Sequence, residues 1–311
     1  MQHIYCLTPL YNDWKSCSVL LSKIRTLKEQ YAGKYRFSVV IVNDCSTIEP
    51  EDNIFESKED LKVVNLTINM GHQRAIAIGL QYIYNEVKDY DAVIVMDSDG
   101  EDRPEDIPAL LEKCIATSKV TFAQRKKRQE SLMFKTGYYF YKHLFKTLTG
   151  QRISFGNFSA IPAKSLKKIV SLNNIWNHYS GAIIQSKIPY VTESLDRGKR
   201  YAGESKMNFN SLILHGLSSI AVYFDHLSVR ILTFSLYGIG ICFVSVLYIL
   251  FQKLFTDNSI PGWASSLILI IAGIILQLFS VTLIVLLLQL SSRKNIDAPN
   301  TKRYLDFIEK E

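Results

Sequence analysis

The sequence has few cysteines and lacks the short signatures of several large enzyme classes. Its five cysteines are odd in number and form no C-x-x-C pair, which suits a reducing compartment and argues against both a disulfide framework and a zinc site. The histidines show no metal-type spacing, and no G-x-S-x-G, P-loop or Rossmann fingerprint is present. These absences remove the hydrolase, kinase and dehydrogenase interpretations.

Charge is missing from two long stretches near the end of the sequence. Residues 231–251 and 258–292 contain no Asp, Glu, Lys or Arg. About 20 apolar helical residues cross the roughly 30 Å hydrocarbon layer, so we predict two transmembrane helices at 231–251 and 263–290. The alternative is a pair of buried helices in a soluble core, where charge-free runs of this length are rare.

A secretory signal peptide is also missing, because the first residues show no basic start followed by an apolar run. We therefore expect the domain before Arg230 to stay on the side of the membrane where it is made. Arg230 precedes the first predicted span, and Arg293 and Lys294 follow the second. By the positive-inside rule, these charges place the large domain and both termini in the cytoplasm.

The net charge of +7 is compatible with either nucleic acid or phosphate-bearing partners. No DNA- or RNA-binding motif accompanies it, and basic residues cluster near the predicted spans and at residues 125–128. We therefore expect anionic lipid and phosphate ligands, and no nucleic acid. A basic membrane-surface protein that binds nucleic acid remains an alternative without a supporting motif.

Up to residue 125, short β-rich runs alternate with helical ones. The predicted strands are 4–7, 37–42, 61–66, 92–96 and 120–124, and the predicted helices are 20–27, 72–87 and 104–117. Apolar strands between helices are typical of an α/β domain whose mostly parallel sheet is covered on both faces. Ligands of such sheets bind beyond the carboxyl ends of the strands, where the polar clusters of this sequence fall.

The second part of the chain is less regular. We predict helices near 131–148 and 163–171 and a strand near 189–194. Residues 208–229 have spaced apolar positions with few charges. This spacing predicts one or two amphipathic helices at the membrane interface, with a soluble surface helix as the alternative.

The sequence Asp97-Ser98-Asp99 directly follows an apolar strand, AVIVM. Two carboxylates spaced in this way can converge with diphosphate oxygens on a hard cation such as magnesium or manganese. Such a cation would neutralise the charge that develops on a leaving diphosphate. Glu101 and Asp102 add further carboxylates, although acidic loops are often merely solvated.

Several motifs resemble those of the family-2 glycosyltransferases, and more narrowly the polyprenyl-phosphate glycosyltransferases such as dolichyl-phosphate mannose synthase and the bactoprenol glucosyltransferases. Residues 97–105 (DSDGEDRPE) are similar to D-x-D-L-Q-D-x-P-E, with Gly100 and Glu101 in place of Leu and Gln. Residues 9–13 (PLYND) look like P-x-Y-N-E, and residues 42–46 (VNDCS) look like V-D-D-G-S.

Three further segments extend the resemblance over nearly the whole chain. Residues 69–79 (NMGHQRAIAIG) are similar to N-x-G-x-x-x-A-x-x-x-G. The small residues at every fourth position of this motif allow close packing of a helix on a sheet. A purely structural role is therefore an open alternative. Residues 125–128 (RKKR) are similar to R-x-x-R, unless they form a solvated basic turn. Residues 200–206 (RYAGESK) look like R-x-x-G-x-S-K, and two cations on a glycine loop could close over anions.

The resemblance implies a GT-A-type, Rossmann-like domain that binds a nucleotide-sugar with Mg²⁺ or Mn²⁺ and transfers the sugar with inversion to a polyprenyl phosphate. Asp97, Asp99 and Arg200 are the implied catalytic residues, with Asp97, Asp99 and Glu101 as metal ligands. The implied nucleotide-sugar contacts are Pro9, Tyr11, Asp44, Gly71, Asp97, Ser98 and Asp99. The implied phosphate and acceptor contacts are Arg125, Arg128, Asn157, Arg200, Ser205 and Lys206.

Asn157 stands where relatives often have an acidic residue. An amide cannot accept a proton, but a phosphate acceptor is already largely ionised near neutral pH and needs little help from a base. The amide at position 157 therefore leaves open whether the acceptor is a lipid phosphate at all. The alternative is that Asn157 is a turn residue without a role in the reaction.

These expectations divide the chain into a cytoplasmic GT-A domain (1–206), interfacial helices (207–229), two transmembrane helices (230–292) and a cytoplasmic tail (293–311). Two rivals share this organisation. One is a transferase whose acceptor is a lipid-linked saccharide or a glycerolipid, and the other is a catalytically silent subunit that binds a nucleotide-sugar. Whether the chain forms a homo-oligomer is left open.

Overall fold

The computed structural model describes residues 1–50, 60–125, 143, 146–147, 150, 155–202, 218, 220–255, 262–294 and 298–309. The chain divides into two units. The first consists of Met1–Tyr138, Arg152–Val222 and Ala298–Glu311, and the second of Tyr139–Gln151 and Tyr223–Asp297.

One mixed sheet forms the centre of the first unit. Its seven strands, within the described residues, are β1 (Gln2–Leu10), β2 (Tyr35–Asn43), β3 (Leu61–Asn65), β4 (Ala92–Val95), β5 (Val120–Arg125), β6 (Ser159–Pro162) and β7 (Tyr190–Leu195). Their order across the sheet is β3-β2-β1-β4-β6-β5-β7. All neighbours are parallel except β6, which is antiparallel to both β4 and β5. The predicted mostly parallel α/β sheet is confirmed, and β6 is an additional strand.

Helices cover both faces of this sheet. They are α1 (Trp14–Gln30), α2 (His72–Glu86), α3 (Ile107–Thr117), α4 (Ala163–Val170) and α5 (Tyr179–Gln185). Side chains of β1 alternate between two apolar cores: Leu7 packs with α2, α4 and α5, whereas Ile4 and Cys6 pack with α1 and α3. This alternation is the period of two expected for a strand buried on both faces.

The predicted elements up to residue 125 all appear, with ends that differ by a few residues. Pro104 opens a short 3₁₀ turn, Pro104–Asp106, before α3 begins. Helix α5 was not predicted, and most of the helix expected at 131–148 lies outside the described residues.

Two long helices, α6 (Phe224–Phe255) and α7 (Trp263–Lys294), dominate the second unit. Phe224–Phe255 and Trp263–Ser291 are long and apolar enough to cross a membrane. Of the 18 residues in the most apolar stretch of each helix, only 11% and 0%, respectively, are buried. Large apolar side chains such as Phe243 and Leu269 are exposed. The helices are therefore not the buried core pair that the sequence left as an alternative, and exposed apolar surface of this kind suits lipid.

The predicted interfacial segment at 207–229 is only partly described. Its last six residues, 224–229, belong to α6, and residues 207–217 and 219 lie outside the described part of the chain. Residues 298–309, which the sequence analysis treats as part of a separate tail, belong to the first unit.

The small residues of α2 allow its close approach to the sheet. Ala75 is fully buried, and a Cβ on Gly79 would overlap the Leu7 side chain and lie 2.8 Å from Val42 Cγ2. The small residues of the 69–79 motif therefore allow the close packing of helix on sheet that the sequence predicts.

We expect Gly79→Ala to lower the free energy of unfolding by about 1–2 kcal/mol, because overpacking outweighs the better helix propensity of alanine. Chemical denaturation measures this loss. Gly33→Ala is the control, since its Cβ would meet no atom within 4 Å. An unchanged or higher stability of Gly79→Ala would contradict the packing argument.

Candidate active site

Three neighbouring parallel strands, β2, β1 and β4, bring their carboxyl ends to one edge of the sheet. Pro9, near the end of β1, is paired with Val42 of β2. The amide of Asp44, which follows β2, donates to Leu10 O at 2.8 Å. Asp97 stands two positions after the end of β4. The polar clusters that the sequence placed at strand ends are thus gathered at one edge.

The acidic residues after β4 form a turn that their own carboxylates close. Asp102, only 4% exposed, accepts a hydrogen bond from the Asp97 amide at 2.9 Å. Asp99 Oδ1 accepts one from the Glu101 amide, also at 2.9 Å. The buried Asp102 side chain therefore stabilises the backbone of the turn. The side chains of Asp97, Asp99 and Glu101 remain 31%, 13% and 20% exposed.

Two arginines neutralise this acidic turn. Arg200 Nη2 donates to Asp99 Oδ2 at 2.6 Å, and Arg197 forms a hydrogen-bonded ion pair with Glu101. Arg200 was predicted as a phosphate-binding residue, and the structure brings it to the acidic turn. Arg197 was not predicted, although a second arginine three residues before Arg200 is a visible signal in the sequence.

Backbone contacts fasten the same segment to the turn. The amides of Gly198 and Tyr201 donate to Glu101 O and Asp99 O, each at 2.9 Å. Gly100 has a φ of +92°, and a Cβ there would lie 2.7 Å from Cγ of the Tyr201 ring. Glycine is required for both reasons, because the left-handed backbone disfavours other residues and the ring fills the space. Leucine, the corresponding residue of the motif that residues 97–105 resemble, would meet both obstacles at this position.

Asp44 holds the turn that leads into α2. Its carboxylate accepts hydrogen bonds from the Met70 amide at 2.6 Å and the Gly71 amide at 2.9 Å, while Asn69 Nδ2 donates to Asp44 O at 3.2 Å. Burial raises the pKa of Asp44, and the two amides oppose this effect. Asp44 is only 3% exposed and its carboxylate is already hydrogen-bonded within the protein, so its implied contact with a nucleotide-sugar stays a prediction.

His72, the first residue of α2, lies in the site although no role was predicted for it from the sequence. Its Nε2 lies 3.3 Å from Asp97 Oδ1 and 3.1 Å from Asn157 Nδ2. Burial disfavours the imidazolium, but the charges of Asp97, Asp102 and Asp99 outweigh it and raise the pKa of His72. Asn157, predicted from the sequence, is thereby placed beside the acidic turn. The position of His72 directly after Gly71, at a strand-to-helix turn, was the available signal.

The remaining predicted residues are less informative. Tyr11 is 42% exposed in the loop after β1, Ser98 is 7% exposed within the acidic turn, and Arg125 is the last residue of β5. The other predicted phosphate contacts, Arg128, Ser205 and Lys206, lie outside the described residues.

The acidic turn does not form a ready cation cage. Among the described residues, no three acidic, histidine or cysteine side chains are placed to hold one metal ion. The donor set still fits a hard cation, since Mg²⁺ is usually held by one or two carboxylates together with substrate phosphates. Burial and the charge of Asp97 raise the pKa of Asp99, against the Glu101 amide and Arg200, so a cation there would relieve crowded negative charge.

Comparison with known proteins gives a consistent result. The sequence model described as "Glycosyl transferase family 2" matches residues 5–172. The chain is 27% identical over 293 residues to the uncharacterized glycosyltransferase YkcC of Bacillus subtilis, covering 88% of this chain and 85% of that one. It is also 27% identical over 281 residues to the bactoprenol glucosyl transferase of Shigella phage SfV, covering 86% and 87%.

Solved structures agree on the fold. Glucosyl-3-phosphoglycerate synthase from Mycobacterium tuberculosis, solved with Mn²⁺, uridine diphosphate and phosphoglyceric acid, aligns with a TM-score of 0.53 and 13% identity. The alignment covers 73% of this chain and 78% of that one. The expected GT-A-type fold is confirmed by this likeness, which at such low identity concerns the fold alone.

We expect Gly100→Ala to lower the free energy of unfolding by about 1–3 kcal/mol, because alanine meets both backbone strain and the Tyr201 ring. In a Tyr201→Ala background the loss should fall to the backbone part alone, about 1 kcal/mol. Denaturant titration of both single variants and the double variant measures this coupling.

Gly156→Ala serves as the control within the same site, because its Cβ would have no atom within 4 Å. Equal losses for Gly100→Ala in both backgrounds would show that the ring does not occupy the space above Gly100.

Proposed function

Since the chain belongs to glycosyl transferase family 2, we propose that it transfers a sugar from a nucleotide-sugar donor to the phosphate of a polyprenyl lipid at the membrane surface. Bactoprenol glucosyl transferases and an undecaprenyl-phosphate 4-deoxy-4-formamido-L-arabinose transferase are among its relatives, at 24–27% identity. The observation that carries the proposal is the acidic turn at the end of β4, with Arg200 paired to Asp99.

The donor half of the proposal uses the charges of that turn. Asp97 and Asp99 would hold Mg²⁺ or Mn²⁺, with Glu101 as a further ligand, and the cation would neutralise charge on the leaving nucleoside diphosphate. Arg200 is already within 2.6 Å of Asp99, so its guanidinium is positioned for phosphate oxygens that reach the turn. His72 and Asn157 would border the sugar and acceptor side of the site, since His72 lies 3.3 Å from Asp97 and Asn157 contacts His72.

The acceptor half rests on the apolar helices and on Asn157. In a single displacement, a lipid phosphate oxygen bonds to the anomeric carbon as the bond from that carbon to the diphosphate oxygen breaks. The configuration inverts, and the products are a lipid-phosphate sugar and a nucleoside diphosphate. An ionised phosphate needs no proton acceptor, which is compatible with an amide at position 157.

The path of the chain supports an even number of membrane crossings. The chain leaves the first unit after Val222, forms α6 and α7, and returns to the first unit at Ala298. A chain that crosses twice comes back to the side from which it started. With Arg230, Arg293 and Lys294 flanking the spans, we propose that the catalytic domain and both termini are cytoplasmic.

Membranes containing the protein, incubated with radiolabelled nucleotide-sugars and polyprenyl phosphate, should transfer label into the organic phase. EDTA should abolish the transfer, and added Mg²⁺ or Mn²⁺ should restore it. Label in an acid-stable linkage would instead favour a saccharide or glycerolipid acceptor. Donor binding without any transfer would favour a catalytically silent subunit.

Asp99→Asn should reduce the rate of transfer by about 100-fold or more, because charge stabilisation by a metal ion is worth several kcal/mol. Initial rates at saturating donor measure the loss. The matched control is Asp89→Asn, an exposed aspartate outside the acidic turn, which should keep the normal rate. Full activity of Asp99→Asn would contradict the assigned role of the turn.

A further inference from the structure

Residues 298–309, which we call the C-terminal segment, pack into the first unit. Tyr304 is 1% exposed and lies edge-on to Tyr82 of α2, with ring centroids 6.1 Å apart. Its hydroxyl donates to Glu86 at the end of the same helix. Phe307 packs beside Trp176 at 5.8 Å. The segment therefore contributes side chains to the apolar core that includes α2.

A buried amide ties the segment to α2. Gln81 has no exposed surface, and its Oε1 accepts from the Tyr304 amide at 3.1 Å. Its Nε2 donates to Asn300 O at 2.9 Å and to Val170 O at 3.1 Å. A buried amide needs such partners, because an unsatisfied one costs roughly 1–3 kcal/mol. Gln81 thus has its hydrogen bonds completed by the C-terminal segment.

The end of the segment also pairs with the chain that follows β3, an outer strand of the sheet. The Thr67 amide donates to Phe307 O and the Glu309 amide to Asn65 O, each at 2.9 Å. Between them, Leu66 and Ile308 form an antiparallel bridge. The segment therefore extends the hydrogen bonding of the sheet at residues 65–67, on the outer side of β2.

The chain braced in this way leads directly into the active site. Two residues after Thr67, Asn69 begins the turn whose amides at Met70 and Gly71 bind the Asp44 carboxylate. Helix α2, held by Gln81 on its inner side, starts at His72 beside Asp97.

We propose that the C-terminal segment positions residues 69–71, the turn that binds the Asp44 carboxylate, with Tyr304 as the principal positioning residue. The segment braces residues 65–71 and α2 together, and so fixes Asp44 and His72 relative to Asp97. We call the contacts of this segment with residues 65–67 and with α2 the brace. The effect of the brace on donor binding rests on the proposed function, whereas the contacts themselves do not.

The brace is tested first by hydrogen exchange on the full-length protein without donor. In Tyr304→Ala, the amides of Thr67, Met70 and Gly71 should exchange about tenfold faster or more, because local opening becomes easier. Amides of β1 and β4 should keep their protection. The matched control is Leu305→Ala, the next residue, whose side chain is 46% exposed and which should leave exchange unchanged.

The positioning role is tested by kinetics. Tyr304→Ala should raise KM for the nucleotide-sugar several-fold with a smaller change in kcat, because a mobile turn weakens donor binding before it affects the reacting atoms. Tyr304→Phe keeps the ring and should restore KM. A purely structural loss would lower the amount of active protein and leave KM unchanged.

Unchanged exchange at residues 65–71 in Tyr304→Ala, or equal loss of protection throughout the sheet, would overturn the brace. Should that variant fail to fold, Glu309→Pro decides, since it removes the amide N–H that bonds Asn65 O, leaves the Tyr304 side chain in place and should still speed exchange near Thr67. Faster exchange in a protein that transfers no sugar would leave the brace standing and refute the proposed function instead.

Discussion

The concentration of carboxylates at the end of β4 is the constraint on which the rest of the site depends. Four acids fall within the six residues 97–102, and the site is partly buried. Such charges are stable away from water only when hydrogen-bonded or paired. The Asp102 carboxylate accepts a hydrogen bond from the Asp97 amide within the turn. Asp99 forms an ion pair with Arg200, and Glu101 forms one with Arg197. A segment about 100 residues away in sequence is thus held at the strand end by charge.

Under the proposed function, the same balance gives the site its chemistry. A diphosphate that binds together with a divalent cation would supply charges of both signs. The aspartates would attract the cation, and the arginines would attract the diphosphate. Asp97 and Asp99 would then hold the cation, and Arg200 and Arg197 would pair with the diphosphate oxygens instead of with Asp99 and Glu101. Preorganised charges of this kind act at the developing negative charge without the cost of reorienting water. The absence of a ready three-ligand cage among the described residues is compatible with this exchange, because the substrate supplies the missing ligands.

Much of this arrangement is predictable from sequence, for local reasons. Strands β2 and β4 contain continuous apolar runs, residues 39–42 and 92–95, and the acidic turn and Arg200 stand in motifs of fixed spacing. What could not be predicted depends on distant contacts. Strand β6 has four residues, SAIP, and is defined only by the antiparallel neighbours on either side. The C-terminal segment reads as charged and aperiodic, so that only the structure shows Tyr304 seated against Gln81. The role of Gly100 likewise required the position of the Tyr201 ring.

Asn157 connects the geometry to the class of acceptor. A hydroxyl acceptor needs a proton acceptor at the reacting atom, because its own pKa is far above neutral. A phosphate monoester, with a second pKa near 6, arrives largely ionised. Asn157, which contacts His72, is an amide that can donate a hydrogen bond to phosphate but cannot remove a proton. Under the proposed function, the amide at position 157 is compatible with an ionised phosphate as the attacking group, because such a group brings no proton that must be removed.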